Sequence, residues 1–140
     1  MSTATKQRRR VVLLVEDDRA VRRVVRLTLE GSGYDVVEAE DGTHALERLE
    51  RGGIDAVVLD LGLPDARAPS VLAWLHAHDE KPPWLVISAV DRADAVRLDG
   101  AINGRFVAKP FDPWELLRQI AAMAARDDTG EDDTRDDDAR

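Results

Sequence analysis

The chain has no cysteine among its 140 residues, few aromatic residues and no long apolar run. Because thiols are absent, disulfide bonds, thiolate metal sites and redox chemistry at sulfur are excluded. No apolar run approaches the ~20 residues of a membrane-spanning helix, and the basic start is not followed by the apolar stretch of a secretory signal. We therefore expect a cytoplasmic protein with no membrane partner.

Aromatic residues make up only 4% of the chain, whereas apolar residues make up 44%. This composition predicts a core of Val, Leu, Ile and Ala, and the length fits one compact domain. We expect the domain to cover residues 10–126, after a flexible basic leader at residues 1–9. Residues 127–140 contain one apolar residue, Ala139, so they cannot bury a core and are expected to form a disordered acidic tail.

The net charge of -8 is concentrated near the end of the chain. Residues 127–140 hold eight acidic residues and two arginines, whereas the rest of the chain holds 20 acidic and 18 basic residues. A nearly neutral domain lacks the basic face that recognition of a nucleic acid duplex usually needs. We therefore expect no direct binding to nucleic acid, and we interpret the basic run at residues 6–10 as a solvated leader.

Short apolar runs alternate with longer amphipathic segments along the chain. The runs predict five β-strands at residues 11–15, 34–39, 54–60, 84–88 and 105–108. They are continuously apolar, which is typical of a parallel sheet covered by helices on both faces. The sequence therefore predicts an α/β domain with three layers.

The segments between the strands predict helices. The first covers about residues 19–32, and three of its basic side chains are expected to face outward: Arg22, Arg23 and Arg26. The second begins after Asp41-Gly42, and the third begins near Pro69.

The last helix has the clearest start, because Asp112, Pro113 and Glu115 form a capping sequence. It is expected to end near Arg126. Between Ser88 and Arg105 the apolar face is ragged, and we expect a short helix there.

Polar residues follow four of the predicted strands, at the point where each strand ends. They are Glu16, Asp17 and Asp18 after the first, Asp60 at the end of the third, Ser88 at the end of the fourth, and Lys109 after the fifth. The carboxyl ends of parallel strands meet at one edge of the sheet, so these side chains are expected to lie close together. Asp18 is expected to serve only as the cap of the first helix.

A cluster of Glu16, Asp17 and Asp60 carboxylates is stable in ionised form only with a cation among them, and oxygen ligands favour Mg²⁺. In that setting Asp60 is a plausible nucleophile, whose attack on a phosphoryl donor gives an acyl phosphate. The Lys109 ammonium and the Ser88 hydroxyl can each meet a phosphoryl oxygen.

Four segments, VVLLVEDDRAVRR, DAVVLDLGLPD, VISA and FVAKPFD, resemble the signature segments of bacterial response-regulator receiver domains. The resemblance is to the chemotaxis-regulator-like receivers of two-component signalling, and it covers about residues 10–126. It implies a single flavodoxin-like domain with a parallel sheet in the order 2-1-3-4-5 and five helices.

The resemblance also implies roles for individual residues. It makes Asp60 the phosphoacceptor, Glu16 and Asp17 the acidic pocket, and the backbone carbonyl of Gly62 a further metal ligand. The remaining positions are Ser88 as the switch hydroxyl, Phe106 as the aromatic switch residue, and Lys109, joined to Pro110 by a cis bond, as the phosphate-pairing lysine.

The implied function is that of a phosphorelay receiver. A histidine kinase or histidine phosphotransfer protein donates the phosphoryl group, and the surface of the fourth helix, fifth strand and fifth helix then binds a downstream protein or a second copy of the chain. The implied activity is not enzymatic beyond self-phosphorylation and self-dephosphorylation with Mg²⁺.

Three alternatives stay open. The chain is a protein-interaction scaffold with a vestigial pocket, or the receiver module of a hybrid histidine kinase, or a small phosphatase with Asp60 as nucleophile. The phosphatase is disfavoured because Gly62 stands where a second Asp belongs. Two departures from the family pattern, Ala68-Pro69 before the third helix and Asn103-Gly104 before the fifth strand, put the partner surface in question.

Overall fold

The computed structural model describes residues 8–78, 80–89 and 105–128, with the side chains of residues 124–128 left out. In this part of the chain, five strands alternate with four helices. The strands are β1 (Val11–Val15), β2 (Asp35–Ala39), β3 (Ala56–Asp60), β4 (Trp84–Ser88) and β5 (Phe106–Ala108). The helices are α1 (Arg19–Gly31), α2 (Gly42–Arg51), α3 (Ala68–Ala77) and the last helix (Pro113–Asp128).

All strands are parallel, and their order is β2-β1-β3-β4-β5. The predicted fold class and strand order are confirmed. Five helices were predicted and four are described, because the short helix expected between Ser88 and Arg105 falls outside the described residues. No described helix has the length and apolar character needed to cross a membrane.

The register of the sheet aligns the strand ends. Val15 pairs with Ala39 on one side and Leu59 on the other, Asp60 pairs with Ile87, and Ser88 pairs with Ala108. The residues that follow β1, β3, β4 and β5 therefore lie along one edge of the sheet.

The core has two halves, one on each face of the sheet. Leu13 and Val15 of β1 pack with α2 and α3, whereas Val12 and Leu14 pack with α1 and the last helix. Strands β3 and β4 are buried along their whole length, as continuous apolar runs require. Each fully buried aliphatic side chain contributes about 1.5–3 kcal/mol, so this packing fixes the strand ends firmly.

Three of the helices begin with an aspartate that caps the first turn. The Asp18 carboxylate accepts from the Val21 amide at 3.0 Å, Asp41 from His44 at 2.9 Å, and Asp112 from Trp114 at 2.9 Å. These bonds satisfy backbone donors that a helix start leaves free. The predicted caps Asp18 and Asp112 are therefore present.

Helix α3 begins without a side-chain cap, and the loop before it forms hydrogen bonds to the start of α2. The Asp65 carboxylate accepts from the backbone amides of Gly42 and Thr43, each at 3.1 Å. Burial raises the pKa of Asp65, but these hydrogen bonds lower it by more than burial raises it. The pKa of Asp65 therefore lies below the ordinary value. The loop after β3 is thereby tied to the start of α2.

The basic residues before β1 contact the sheet at the edge opposite the site. Arg8 forms a two-point ion pair with Asp55, and Arg9 pairs with Asp35 at 2.8 Å. Asp55 also accepts from the Val11 amide at 2.7 Å, so one carboxylate joins the leader, β1 and the start of β3.

Gly42 offers a test of the contact between α2 and the loop before α3. A Cβ at Gly42 would lie 2.5 Å from the Cβ of Arg67 and 3.1 Å from its backbone carbon. We expect Gly42→Ala to lower the free energy of unfolding by about 1–3 kcal/mol, because backbone must move to make room. Gly31→Ala is the control, since a Cβ there meets nothing within 4 Å. Urea denaturation checks both, and equal stabilities for the two variants would contradict the close contact.

Asp55 offers a test of its ion pair with Arg8. The Arg8 hydrogen bond is the main cause that lowers the pKa of Asp55 below its ordinary value. A lowered folded pKa gives stability that is complete above the unfolded value of ~3.9 and is lost as pH falls through the folded value. We expect Asp55→Asn to cost about 1 kcal/mol at neutral pH and progressively less as the pH falls below the unfolded value of ~3.9.

The control for Asp55→Asn is Asp35→Asn, whose carboxylate is 57% exposed and should matter little. Denaturant titrations at several pH values provide the comparison. A difference between wild type and Asp55→Asn that stays constant down to pH ~2 would contradict the assignment.

Candidate functional site

Asp60 is the last residue of β3 and is only 4% exposed. Its Oδ1 accepts from the Gly62 amide at 3.0 Å, and its Oδ2 accepts from the Lys109 ammonium at 3.1 Å. Both carboxylate oxygens are therefore oriented by donors at the carboxyl edge of the sheet.

Lys109 follows β5 directly, and its peptide bond to Pro110 is cis, as the resemblance implied. Its backbone amide donates to the Ser88 carbonyl at 2.8 Å. The ammonium lies 2.8 Å from Glu16 and 3.1 Å from Asp60. Burial lowers the pKa of Lys109, but the two carboxylates raise it more, so the net pKa lies above the ordinary value and the group stays charged.

Glu16 follows β1 and is fully buried. Its Oε2 accepts from the Asp18 amide at 2.9 Å, whereas its Oε1 approaches Lys109 by charge without an aligned hydrogen bond. Burial raises the pKa of Glu16 above its ordinary value, although Lys109 and the Asp18 amide oppose the shift. A buried carboxylate oxygen without an aligned donor is suited to accept a cation.

Asp17 differs from the other two acids because its side chain is exposed. No described residue donates a hydrogen bond to its carboxylate. Oxygens of Glu16, Asp17 and Asp60 nevertheless lie within 4.8 Å of one another. Such a cluster can hold a metal ion, and the donor set fits a hard cation that takes oxygen ligands.

These residues surround one open cavity of about 300 Å³. The lining consists of Glu16, Asp17, Asp18, Asp60, Leu61, Gly62, Ser88, Ala89 and Lys109. In this described lining, carboxylates outnumber the single ammonium of Lys109, so the cavity favours a cation. The structure thus brings together six of the seven predicted site residues.

The seventh, Phe106, begins β5 and lies outside that lining. It is half-buried and packs against the core half that contains α2 and α3. Ser88 is 3% exposed, next to Lys109 in the cavity. The two residues predicted to form the switch therefore lie on the neighbouring strands β4 and β5.

Arg22 is the residue beside the site that sequence reasoning missed. It was predicted to face outward, but its side chain is only 14% exposed and folds back toward the end of β1. Its guanidinium donates to the Glu16 carbonyl at 2.9 Å and to the Glu38 carboxylate at 2.7 Å. The signal in the sequence was Glu38 itself, an acid between the apolar residues Val37 and Ala39 of β2, which calls for a basic partner.

A family model for the response regulator receiver domain matches residues 12–121. Among curated proteins, the response regulator MprA of Mycobacterium leprae is 38% identical over 117 residues, which cover 82% of this chain and 51% of that protein. The transcriptional regulatory protein YkoG of Bacillus subtilis is 36% identical over 124 residues, which cover 87% and 54%. The chain thus spans about half the length of these relatives.

The fold is similar to that of solved receivers. A crystal structure assigned as a response regulator of Chloroflexus aurantiacus is 28% identical, has a TM-score of 0.76, and covers 84% of this chain and 99% of its own. The match of the family model to residues 12–121, together with the 38% identity to MprA, shows that the chain belongs to the response regulator receiver domain family.

Proposed function

We propose that the chain is the phosphoacceptor of a two-component phosphorelay, and that Asp60 takes the phosphoryl group. The observation that carries this proposal is the Asp60 carboxylate itself, held between the Gly62 amide and the Lys109 ammonium at the floor of an acidic cavity. A carboxylate so oriented, with an open approach, suits nucleophilic attack on phosphorus.

The reaction transfers the phosphoryl group from an imidazole nitrogen of the donor to a carboxylate oxygen of Asp60. An Asp60 oxygen forms the new bond to phosphorus, and the bond to the donor's imidazole nitrogen breaks, which leaves neutral histidine after proton uptake. Self-dephosphorylation is the attack of water on the same phosphorus, which returns free phosphate and the Asp60 carboxylate. No chemistry on any other substrate is part of the proposal.

The carboxylates of Glu16, Asp17 and Asp60, with the Gly62 carbonyl, would hold Mg²⁺. When bound, Mg²⁺ supplies positive charge that reduces repulsion between the carboxylates and an incoming phosphoryl group. The protein's own part is to orient these oxygens and to supply the Lys109 ammonium, which pairs with phosphoryl oxygen in place of an Asp60 oxygen.

The charge added at Asp60 would be sensed by Lys109 and Ser88, which lie on the neighbouring strand ends. Movement of the Ser88 hydroxyl toward the phosphoryl group, with Phe106 repacking beside it, would shift the population between two states of the adjacent surface. That surface is expected to include β5, the last helix and the predicted fourth helix, which lies outside the described residues, and it would bind the downstream protein or a second copy.

The donor would be a histidine kinase or histidine phosphotransfer protein in the cytoplasm. The relatives named above are a response regulator and a transcriptional regulatory protein, and the match covers about half of each. The alternative of a receiver module in a hybrid kinase uses the same Asp60 chemistry and differs only in the donor's location.

Intact mass spectrometry tests the phosphoacceptor. After incubation with Mg²⁺ and acetyl phosphate, the wild-type chain should gain one phosphoryl group. Asp60→Asn should gain none because the nucleophile is lost, and chelation of Mg²⁺ should abolish the gain in wild type. A wild-type chain that gains no mass, or an Asp60→Asn variant that gains it equally, would sink the proposal and favour the scaffold.

Thermal or urea denaturation with added Mg²⁺ tests the metal site. At a hundredfold excess over its dissociation constant, Mg²⁺ should stabilise the wild-type fold by about 2.7 kcal/mol. Asp17→Asn should lose most of that gain because one ligand charge is removed. The matched control is Asp18→Asn, since asparagine caps a helix as well as aspartate does. Equal Mg²⁺ responses in Asp17→Asn and Asp18→Asn would contradict the assigned ligands.

A further inference from the structure

Arg22 joins three parts of the molecule next to the acidic cavity. It belongs to α1, its guanidinium donates to the Glu16 carbonyl at 2.9 Å, and it pairs with Glu38 of β2 at 2.7 Å. A longer contact of 3.4 Å reaches the Asp17 carbonyl. The guanidinium therefore clamps the backbone of the β1–α1 loop, residues 16–18, against α1.

The three acids of the cavity are not held equally. Described donors contact the carboxylates of Glu16 and Asp60, whereas none contacts the carboxylate of Asp17. The position of the Asp17 carboxylate therefore depends on the course of its backbone. On the carbonyl side of that backbone, Arg22 is the described side chain that holds it.

We propose that Arg22 is a positioning residue for the metal site, which keeps the Asp17 carboxylate within reach of Glu16 and Asp60 by clamping the β1–α1 loop. The inference rests on the proposed Mg²⁺ site and adds a residue whose guanidinium contacts the backbone carbonyls of Glu16 and Asp17 and not their carboxylates. Residues behind a metal site that orient its ligands typically change affinity by about 10–100-fold when they are replaced.

Glu38 fixes the guanidinium in place. Burial raises the pKa of Glu38, but hydrogen bonds from Arg26 and Arg22 lower it more, so its pKa lies below the ordinary value. Glu38 is thus a carboxylate that stays ionised beside Arg22. Because Glu38 lies in β2, it ties the guanidinium to the strand that neighbours β1.

Arg26 supplies a matched control within the same helix. It also pairs with Glu38, and with Glu30 at 2.8 Å, but it makes none of the described contacts to the β1–α1 loop. Its side chain is 43% exposed, against 14% for Arg22. Replacement of either arginine removes one positive charge and one partner of Glu38, but only replacement of Arg22 removes guanidinium contacts to the β1–α1 loop.

An effect of Arg22 through its charge and an effect through positioning predict opposite changes in the affinity for Mg²⁺ when Arg22 is replaced. If only the field of Arg22 mattered, removing this cation would strengthen the binding of Mg²⁺. If Arg22 positions Asp17, its removal weakens binding although the site becomes more negative.

The experiment is an NMR titration of the wild-type chain, Arg22→Gln, Arg26→Gln and Arg22→Lys with MgCl₂ alone, read from amide shifts of the β1–α1 loop. We expect Arg22→Gln to raise the dissociation constant of Mg²⁺ about tenfold and Arg26→Gln to change it less than about twofold. Arg22→Lys keeps one donor and should fall between wild type and Arg22→Gln. Urea denaturation of each variant verifies that it is folded under the titration conditions.

Phosphorylation by acetyl phosphate adds a second readout. Arg22→Gln should need about tenfold more Mg²⁺ for half-maximal rate, and saturating Mg²⁺ should restore a rate close to that of wild type. Unchanged or tighter Mg²⁺ binding in Arg22→Gln, or equal losses in both glutamine variants, would overturn the inference while the proposed function stands. A wild-type chain that binds no Mg²⁺ would overturn both.

Discussion

The contact on which the site depends is the Lys109 ammonium held between the carboxylates of Glu16 and Asp60. Two acids that lie this close repel each other, and burial of Glu16 increases the cost of its charge. Lys109 offsets part of that repulsion at rest, and the same ammonium is the cation available to an added phosphoryl group. One side chain thus stabilises the resting site and, in the proposed reaction, exchanges an Asp60 oxygen for a phosphoryl oxygen.

The sheet order explains why a lysine can do this. Strands β1 and β3 are neighbours, whereas β4 lies between β3 and β5. Two strand spacings amount to about 10 Å, and a long flexible side chain is needed to reach from the end of β5 to Asp60. The small Ser88 at the end of β4 leaves that path open, and its carbonyl holds the Lys109 amide at 2.8 Å. The reach of Lys109 therefore follows from the topology.

The sequence predicted the fold and the acids of the site because both follow from where apolar runs stop. In β1 the apolar residues continue to the last strand position, and in β3 and β4 they continue to the position before it, so Glu16, Asp60 and Ser88 mark the strand ends. Asp18 was predicted correctly as a cap, since capping acts over three residues. Local patterns of this kind carry through to the structure when a buried sheet fixes their register.

Contacts between side chains far apart in sequence were not predictable in the same way. Helical periodicity assigns Arg22 to the outer face, but its length lets the guanidinium turn back to the loop and to Glu38. Likewise, the approach of Gly42 to Arg67 joins residues 25 positions apart and has no local signature. The last helix continues to Asp128, beyond the expected end near Arg126, because no proline or glycine interrupts it before Gly130.

The presence of the acidic residues and the affinity of the proposed metal site are therefore separate properties. The number of carboxylates at the cavity follows from the motif at the end of β1 and from Asp60. Their affinity for a cation depends also on whether the exposed Asp17 is kept near the other two, at the separation of no more than 4.8 Å seen here. That separation depends on the backbone of the β1–α1 loop, which Arg22 contacts while Glu38 of β2 holds the guanidinium. Chains with the same acids but without such a clamp would share the chemistry and bind the metal less tightly.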